Sequence, residues 1–306
     1  MEKGLERLNI VTGAFGFSGR SIADRLLANG EQVLTLTNHA RATPSIEAAP
    51  LDFRRPEELA AGMAGAAVLY NTYWVRFAHG ETSHERAVEN TRILVRAAEQ
   101  AGLKRIVHIS VTNPSPQSPL SYFRGKAAVE EIIRSSSLSH AILRPAVVFG
   151  RGDILINNIA WLLRRFPFFA IPGNGEYSLQ PIFVEDLATL AIQKAHGREN
   201  VVIDAVGPET YKYKHLVQLV RDSIHSRSRV FCAPSSIVCL TSQVLGTLVH
   251  DKILTGEEVR GLMANLLVSN QLPTGRKSLR EWLRENAESV GITYASEIER
   301  HYRSTT

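Results

Sequence analysis

The chain lacks several features that would assign it to a familiar class. It has only two cysteines in 306 residues, Cys232 and Cys239, and neither lies near a pair of histidines. The sequence therefore offers no disulfide framework and no zinc-ligand pattern, and we predict no metal site. A reducing compartment follows, and because MEKGLERLNIVTG at the start lacks the long apolar segment of a signal peptide, we expect a cytoplasmic protein.

Long apolar runs and clusters of one charge sign are also missing. The longest apolar stretch, SSIVCLTSQVLGTLVH (235–250), is too short and too polar to cross a bilayer. We predict no integral membrane segment and interpret the stretch as a buried or partner-facing helix. The net charge of +5 is spread as single Lys and Arg residues among acids, so no basic stripe indicates nucleic-acid binding. An anionic small molecule fits this charge distribution better.

The chain does contain a regular alternation of short β-branched runs and amphipathic segments. Strands are predicted over 8–13, 32–37, 66–72, 104–111, 140–148 and 200–207. Helices are predicted over 21–30, 56–63, 83–101, 154–173 with a break at Pro167, and 184–195, with a further helix that contains Lys126. Repeated strand–helix units predict an α/β fold with a doubly wound, parallel Rossmann sheet.

The pattern changes near Gly150 and becomes mainly helical after residue 208. We predict a Rossmann domain over residues 1–150, completed by about 183–207. Residues 151–182 and 208–306 would form a small, mainly helical C-terminal lobe. We expect this substrate lobe over the carboxyl edge of the sheet, where open α/β sheets bind their ligands.

A glycine-rich turn joins the first strand to the first helix. In TGAFGFSG the glycines Gly13, Gly16 and Gly19 are three residues apart. Glycine allows the turn and lets backbone N–H groups approach a pyrophosphate at a helix N-terminus, although a tight strand–helix turn alone would need the same residues. The context favours a dinucleotide, and the residues predicted to hold it are Gly13, Ala14, Phe15, Gly16, Phe17 and Gly19.

The loop after the second strand reads TNHARAT and contains no acidic residue. An acid at this place selects NAD, whereas donors accommodate the phosphate of NADP, so Asn38, His39 and Arg41 favour NADP(H) over NAD(H). Asp52 and Phe53 follow the next predicted strand and could flank the adenine, although Asp52 could equally cap a helix.

Tyr122 and Lys126, in PLSYFRGKA, are four residues apart and share one face of a helix. An ammonium group lowers the pKa of a nearby phenol from about 10 and brings it into range for acid–base catalysis. Gly125 costs a helix interior roughly 1 kcal/mol, which indicates a close neighbour there, either a ligand or another element.

Taken in order, the glycine loop, the ribose loop, YFRGK and LRPAVVFG resemble the extended and atypical short-chain dehydrogenase/reductases, which include the NAD(P)-dependent epimerase/dehydratase-like proteins. The resemblance covers about residues 8–210. HISVTN, RGKAAVEEII, RPAVVFGRGD, QPIFVEDLA and DAVGPETY are most similar to the branch of the NADPH-binding accessory subunit of respiratory complex I and its bacterial relatives. LTGEEVRGLMANLL and GITYASEIERHY extend the likeness, more loosely, into the final lobe.

The resemblance implies catalytic roles for three residues. Tyr122 would be the proton donor, Lys126 its electrostatic partner and a donor to the nicotinamide ribose, and Ser110 the helper that orients the substrate oxygen. Ser110 precedes Tyr122 by 12 residues, an interval shorter than in the sugar-nucleotide epimerases, which disfavours such substrates. The resemblance also implies that Pro145 contacts the cofactor and that Asn90 is a buried amide that bridges two strands. The loop NTYWVRF follows a strand whose end should lie near the cofactor, so we expect Asn71 at the cofactor and Tyr73, Trp74 and Arg76, with Asn113, at the substrate. Core packing would explain the two aromatic residues as well, whereas Arg76 would face an anionic group.

We therefore predict an NAD(P)-dependent oxidoreductase or epimerase that acts on a small carbonyl or hydroxyl substrate. The alternative is a non-catalytic NADPH-binding protein that senses the dinucleotide or stabilises a complex. In that case the C-terminal helices would bind a protein partner or a second copy of the chain. The intact Tyr–Lys pair favours the enzyme, whereas the apolar 235–250 helix favours the binding protein.

Overall fold

A computed structural model describes residues 7–38, 44–78, 80, 82–296 and 298. The strands are β1 (Leu8–Thr12), β2 (Gln32–Leu36), β3 (Glu47–Ala49), β4 (Val68–Asn71), β5 (Arg105–Ile109), β6 (Ser139–Pro145), β7 (Val147–Phe149), β8 (Phe168–Pro172), β9 (Ser178–Leu179), β10 (Pro181–Phe183), β11 (Val201–Ala205), β12 (Tyr211–Lys212) and β13 (Arg229–Ala233). The helices are α1 (Phe17–Ala28), α2 (Pro56–Gly62), α3 (His84–Gln100), α4 (Ser121–Arg134), α5 (Leu155–Arg165), α6 (Val184–Ala195), α7 (Tyr213–Ser223), α8 (Ser235–Val249), α9 (Gly256–Met263) and α10 (Leu279–Asn286).

The chain divides into two compact units. Unit 1 comprises Met1–Arg144 and Leu187–Asp204, and unit 2 comprises Pro145–Asp186 and Ala205–Thr306. Within the described part of the chain, no helix has both the length and the hydropathy needed to span a membrane.

Unit 1 is built on a seven-stranded sheet in the order β11-β6-β5-β4-β1-β2-β3. The pairs from β6 through β5, β4, β1 and β2 to β3 are parallel. Because β1 lies between β2 and β4, the chain order reverses beside β1, and ligands bind at the carboxyl ends of strands at such a switch point. The doubly wound Rossmann fold predicted from the sequence is therefore confirmed.

The core of unit 1 explains why its strands are nearly continuous apolar runs. Ile10, Leu69 and Ile106 on the strands pack in one cluster with Leu94 of α3 and Val129 of α4. Strands covered by helices on both faces have no solvent side, so polar alternation is lost.

Unit 2 has its own core around Phe149, Leu216 and Trp282, to which α5, α7 and α10 contribute. Its strands form three two-stranded sheets, β10 with β7, β12 with β9, and β13 with β8. The carboxylate of Asp153, one residue before the N-cap Ile154, satisfies two donors in the first turn of α5, because it accepts the backbone N–H groups of Ile156 at 2.7 Å and Asn157 at 3.3 Å.

The prediction of one broken helix over 154–173 was wrong in its second half. Helix α5 ends at Arg165, and residues Phe168–Pro172 form β8, which pairs in parallel with β13. Pro167 ends the helical pattern, and the run FFAIP that follows pairs with a strand about 60 residues later in the chain. That partner cannot be recognised from local periodicity.

Candidate functional site

The glycine loop has the backbone geometry of a close-approach turn. Gly13 has φ +66°, in the left-handed region, and its carbonyl accepts the Gly16 N–H at 2.8 Å. A Cβ at Gly19 would lie 2.3 Å from the Gly13 carbonyl oxygen, so α1 packs against the loop at a distance that only glycine permits. Gly16 is the N-cap of α1 and makes no side-chain cap, which leaves the helix N-terminus without a competing acceptor from that residue.

The glycine loop from Gly13 to Gly19, called the glycine cradle below, fits a pyrophosphate. The loop is anchored by the Gly13 N–H on the carbonyl of Leu36 at 3.1 Å, and by the Ala14 N–H on the hydroxyl of Thr35 at 3.0 Å. Ala14 is buried, and Phe15 and Phe17 are half-buried. The backbone of the loop is therefore held in place by β2, and no acidic side chain from within the loop would oppose an anion.

The residues predicted at the adenosine end are described only in part. Asn38 is exposed just beyond β2, while His39 and Arg41 lie outside the described residues. Asp52 accepts bonds from Arg54 and Arg55, and these hold the pKa of its carboxyl well below the usual range. Asp52 bonds the Arg54 backbone N–H at 3.0 Å and does not cap α2, whose N-cap is Arg55.

Side chains at the end of β4 fix the loop that follows it. The Thr12 hydroxyl accepts the backbone N–H groups of Thr72 at 2.8 Å and Tyr73 at 3.0 Å. Asn71 is fully buried, and its Oδ1 also accepts the Tyr73 N–H, at 3.1 Å. The side chain of Asn71 therefore holds the loop in place, and its predicted contact with the cofactor stays a prediction.

Tyr73 is held by Asn90 and Phe53. Its hydroxyl accepts a bond from the Asn90 amide at 2.8 Å, its ring centroid lies 5.1 Å from that of Phe53, and burial raises its pKa. The prediction that Asn90 bridges two strands was wrong, since this half-buried amide instead fixes a tyrosine of the β4–α3 loop.

Trp74 lies against the predicted catalytic pair. Its ring stacks on His84, with centroids 5.7 Å apart and an interplanar angle of 2°, and it meets the ring of Tyr122 edge-on at 5.8 Å. The Nζ of Lys126 lies 4.7 Å from the indole centroid, a cation–π geometry. A Cβ at Gly125 would lie 2.8 Å from Cη2 of the indole, so the close neighbour that the sequence indicated is this tryptophan.

Lys126 is buried and bonded to the protein itself. Its side chain is 3% exposed, and Nζ donates to the Ile109 carbonyl at 2.8 Å. Burial lowers its pKa to about 7, and the negative charge of Glu130 partly opposes that shift. The lysine is therefore poised between its charged and neutral forms near neutral pH.

His108 is a second buried titratable group beside Lys126. The Oδ1 of Asn71 is occupied by the Tyr73 N–H, so the Asn71 amide NH₂ faces Nδ1 of His108 at 3.1 Å, and the ring proton lies on Nε2. Burial and the nearby Lys126 charge hold the pKa of His108 well below its ordinary value. The imidazole is therefore neutral.

Ser110 is engaged by a carboxylate that the sequence reasoning missed. Its hydroxyl donates to Oε1 of Glu130 at 2.6 Å. Glu130 is 1% exposed and also accepts bonds from Arg144 at 2.8 and 2.5 Å and from Arg134 at 3.0 Å. The proton expected to reach a substrate oxygen is thus directed at Glu130.

A signal for Glu130 was present in the sequence. Tyr122, Lys126 and Glu130 recur at intervals of four along α4, so they follow one face of the helix. The buried carboxylate lies on the same face as the pair that the motif identified. Its partner Arg144 belongs to β6, 14 residues later, and could not be assigned to it from spacing alone.

The local surroundings of three further predicted residues, Arg76, Asn113 and Pro145, are also described. Arg76 lies with its guanidinium carbon 5.7 Å from the ring centroid of Phe77. Asn113 is exposed and has φ +53°, a left-handed conformation that asparagine tolerates. Pro145 ends β6 and is buried. Among the described residues, no group of three or more His, Cys, Asp or Glu side chains could hold a metal ion.

Comparison with known proteins gives matches of two kinds. A family model described as NAD(P)H-binding matches residues 13–151. The mitochondrial NADH dehydrogenase [ubiquinone] 1 alpha subcomplex subunit 9 of Arabidopsis thaliana is 25% identical over 283 residues, which cover 85% of this chain and 70% of the relative. Two solved structures share the fold at lower identity.

The first is UDP-glucose 4-epimerase of Thermotoga maritima with UDP-glucose, at 16% identity and a TM-score of 0.67, covering 92% of this chain and 97% of the epimerase. The second is the Bordetella bronchiseptica enzyme WbmH in complex with NAD+, at 18% identity and a TM-score of 0.61, covering 76% of this chain and 88% of the enzyme. The chain thus has the NAD(P)-binding, epimerase/dehydratase-like fold of the extended short-chain dehydrogenase/reductases and is homologous to the accessory subunit of complex I, as its motifs predicted.

Proposed function

We propose that this chain binds NADP(H) as a stabilising ligand, without redox turnover, and serves as a dinucleotide-dependent subunit of a larger protein assembly. The observation that carries the proposal is the bonding of Ser110. A serine hydroxyl has one proton, and here Ser110 donates it to the buried carboxylate of Glu130, with 2.6 Å between the two oxygens. A hydroxyl in that state cannot also donate to a substrate carbonyl.

Lys126 supports the same conclusion. Its ammonium group donates to the Ile109 carbonyl, and the indole of Trp74 covers it. Tyr122 meets the rings of Trp74 and His84 edge-on, at 5.8 and 5.7 Å. The side chains that would handle a proton are therefore packed against the protein's own aromatic groups.

The dinucleotide itself is supported by the glycine cradle. The loop from Gly13 to Gly19 would hold the pyrophosphate through backbone N–H groups, and Asn38 would donate to the phosphate that distinguishes NADP from NAD. When bound, a nicotinamide dinucleotide supplies a transferable hydride. The absence of an acid in TNHARAT favours NADP(H).

The subunit role is supported by relatedness over most of the chain. The Arabidopsis relative is by name a subunit of mitochondrial NADH dehydrogenase, and the match covers 85% of this chain. A protein partner, bound through unit 2, is the corresponding proposal here. The predicted cytoplasmic location stays a prediction.

The second candidate is an NAD(P)-dependent oxidoreductase or epimerase that acts on a small carbonyl or hydroxyl compound. One observation favours it: Tyr122 and Lys126 lie on adjacent turns of α4, and the pKa of Lys126 is lowered to about 7, where a general acid–base partner is most useful. In that case Tyr122 would move the proton, and Ser110 would have to leave Glu130.

The test is a titration followed by a turnover measurement on the same sample. Purified protein is titrated with NADPH and NADH by cofactor fluorescence. The NADPH complex is then incubated with a panel of aldehydes and ketones, and NADPH oxidation is followed at 340 nm. Because epimerisation leaves the cofactor unchanged overall, nucleotide sugars are incubated with the NADP+ complex instead and their epimers are sought by chromatography. We expect tighter binding of NADPH and an oxidation rate equal to that of free NADPH. Oxidation that Tyr122→Phe abolishes, with NADPH affinity unchanged, would establish the enzyme instead. Equal affinities for the two cofactors would refute the ribose-loop argument.

A further inference from the structure

Unit 2 exposes a group of large apolar side chains on three neighbouring elements, the paired strands β8 and β13 and the helix α8. We call the group the apolar face; its members are Phe168 (60% exposed), Phe231 (47%), Ile237 (51%), Leu240 (62%) and Val244 (58%). Single exposed apolar residues are ordinary, but a concentration of them marks an interaction surface. The face therefore needs an occupant.

The first part of the face is the outer side of the β8–β13 sheet. Phe168 of β8 pairs in register with Arg229 of β13, and Phe231 lies two residues after Arg229 on β13. The side chains of these three residues therefore point to the same side of the sheet. The Phe168 and Phe231 ring centroids are 6.4 Å apart. The alternate residues Phe169 and Val230 pack on the core of unit 2.

The second part is the outer side of α8, which packs against β8. Ile237, Leu240 and Val244 are spaced by three and four residues and so lie on one side of the helix, while Val238 and Gly246 are buried. From residue 235 to 249 the helix carries no charged side chain. Its exposed polar residues are Ser, Thr and Gln, which can enter a lipid headgroup layer without the cost of burying a charge.

The segment that carries β13 and α8 has formal charges of one sign. No Asp or Glu occurs from residue 223 to 250, whereas Arg227 and Arg229 are exposed and, within the described part of the chain, have no acidic partner. The next acid, Asp251, is buried and accepts bonds from the Tyr294 hydroxyl at 3.1 Å and the Lys252 N–H at 2.8 Å. The charges that residues 223–250 themselves contribute beside the face are therefore positive.

We propose that the apolar face attaches the protein to the surface of an anionic lipid bilayer. The apolar side chains would enter the boundary between headgroups and acyl chains, and Arg227 and Arg229 would contact lipid phosphates. An anionic bilayer supplies both an apolar and a negative partner. A second copy of the chain would instead bring these arginines towards their own counterparts, and like charges at an interface repel.

The experiment is vesicle flotation with the full chain. Vesicles of phosphatidylcholine and phosphatidylglycerol in equal amounts are compared with phosphatidylcholine alone. Two double variants are measured, Leu240→Ser with Val244→Ser, and Arg227→Gln with Arg229→Gln. The matched control is Leu272→Ser, because Leu272 is 86% exposed and lies in the loop after α9, outside the face.

We expect wild type and the Leu272 variant to float with the anionic vesicles and not with the neutral ones. The arginine variant should bind roughly tenfold to thirtyfold more weakly, and the aliphatic variant should not float. Equal binding to neutral vesicles, or no flotation at all, would overturn the proposal. Sedimentation as a dimer that the aliphatic variant dissociates, without vesicle binding, would show that a second copy covers the face.

Discussion

Replacing Glu130 by glutamine tests the buried network directly. Glu130 is the only acid that the structure places in hydrogen-bond contact with Arg134, Arg144 and Ser110 in the described part of the chain. The amide keeps the shape of the side chain but removes its negative charge. Two guanidinium groups then lose their counter-charge, and the buried Lys126 loses the attraction that partly offsets its desolvation.

The expected loss of stability is large. Breaking a buried ion pair on one side costs about 3–5 kcal/mol, and we expect the lower end of that range, because the side chains of Arg144 and Arg134 remain 23% and 40% exposed and can be partly rehydrated. For a chain of this size that corresponds to a fall in Tm of roughly 6–15 °C. The assay is thermal and urea unfolding of Glu130→Gln beside Glu131→Gln.

Glu131 is the matched control. It is the next residue of α4, is exposed, and accepts a bond only from the Ser135 hydroxyl, at 3.3 Å, among the interactions described for its side chain. Its substitution should change stability by less than about 0.5 kcal/mol. If the Glu130 variant lost less than about 1 kcal/mol, the network would be too weak to hold Ser110, and the argument against catalysis would fail.

Three further predictions follow from the glycine contacts and the buried lysine. Gly19→Ala should abolish NADPH binding in a fluorescence titration, because its Cβ would lie 2.3 Å from a backbone carbonyl, whereas Gly62→Ala, with no atom nearer than 3.9 Å, should bind normally. Gly125→Ala should displace the indole that packs 2.8 Å from the added Cβ, shift the tryptophan emission and destabilise the protein by about 1–3 kcal/mol. The pKa of Lys126 is lowered to about 7 in the folded protein, against about 10.4 when unfolded, so the unfolded state binds more protons between these values. The contribution of Lys126 to unfolding free energy should therefore rise from pH 7 to pH 10 in urea titrations, and Lys126→Met should flatten that rise; an unchanged slope would show that the lysine is not buried.

The Rossmann half of the fold could be predicted because its signals are local. Short β-branched runs, a helical segment ended by Gly30, and a glycine triplet between the first strand and helix all depend on residues that are close in the chain. The inner strands β1, β4 and β5 are buried on both faces, so their apolar runs are easily recognised. Unit 2 was harder, because β8 becomes a strand only through its pairing with β13.

In the candidate site, too, the residues with local signals could be predicted and those that come from distant segments could not. Tyr122 and Lys126 were identified because a helix brings residues four apart together, whereas their surroundings come from distant segments. Trp74 is 48 residues before Tyr122 and packs on the pair, and Arg144 comes from β6 and bonds the Glu130 that holds Ser110. A motif predicts which groups are present; the packing around them decides whether they are available.

The measurement that tests the central claim most directly is a crystal structure of the protein with NADPH. We expect the pyrophosphate on the Gly13–Gly19 loop, the Ser110 hydroxyl still on Glu130, and the Trp74 indole still over Lys126. A structure in which the indole has moved away, Lys126 binds the nicotinamide ribose and Ser110 points to the nicotinamide would contradict the account and favour a redox enzyme.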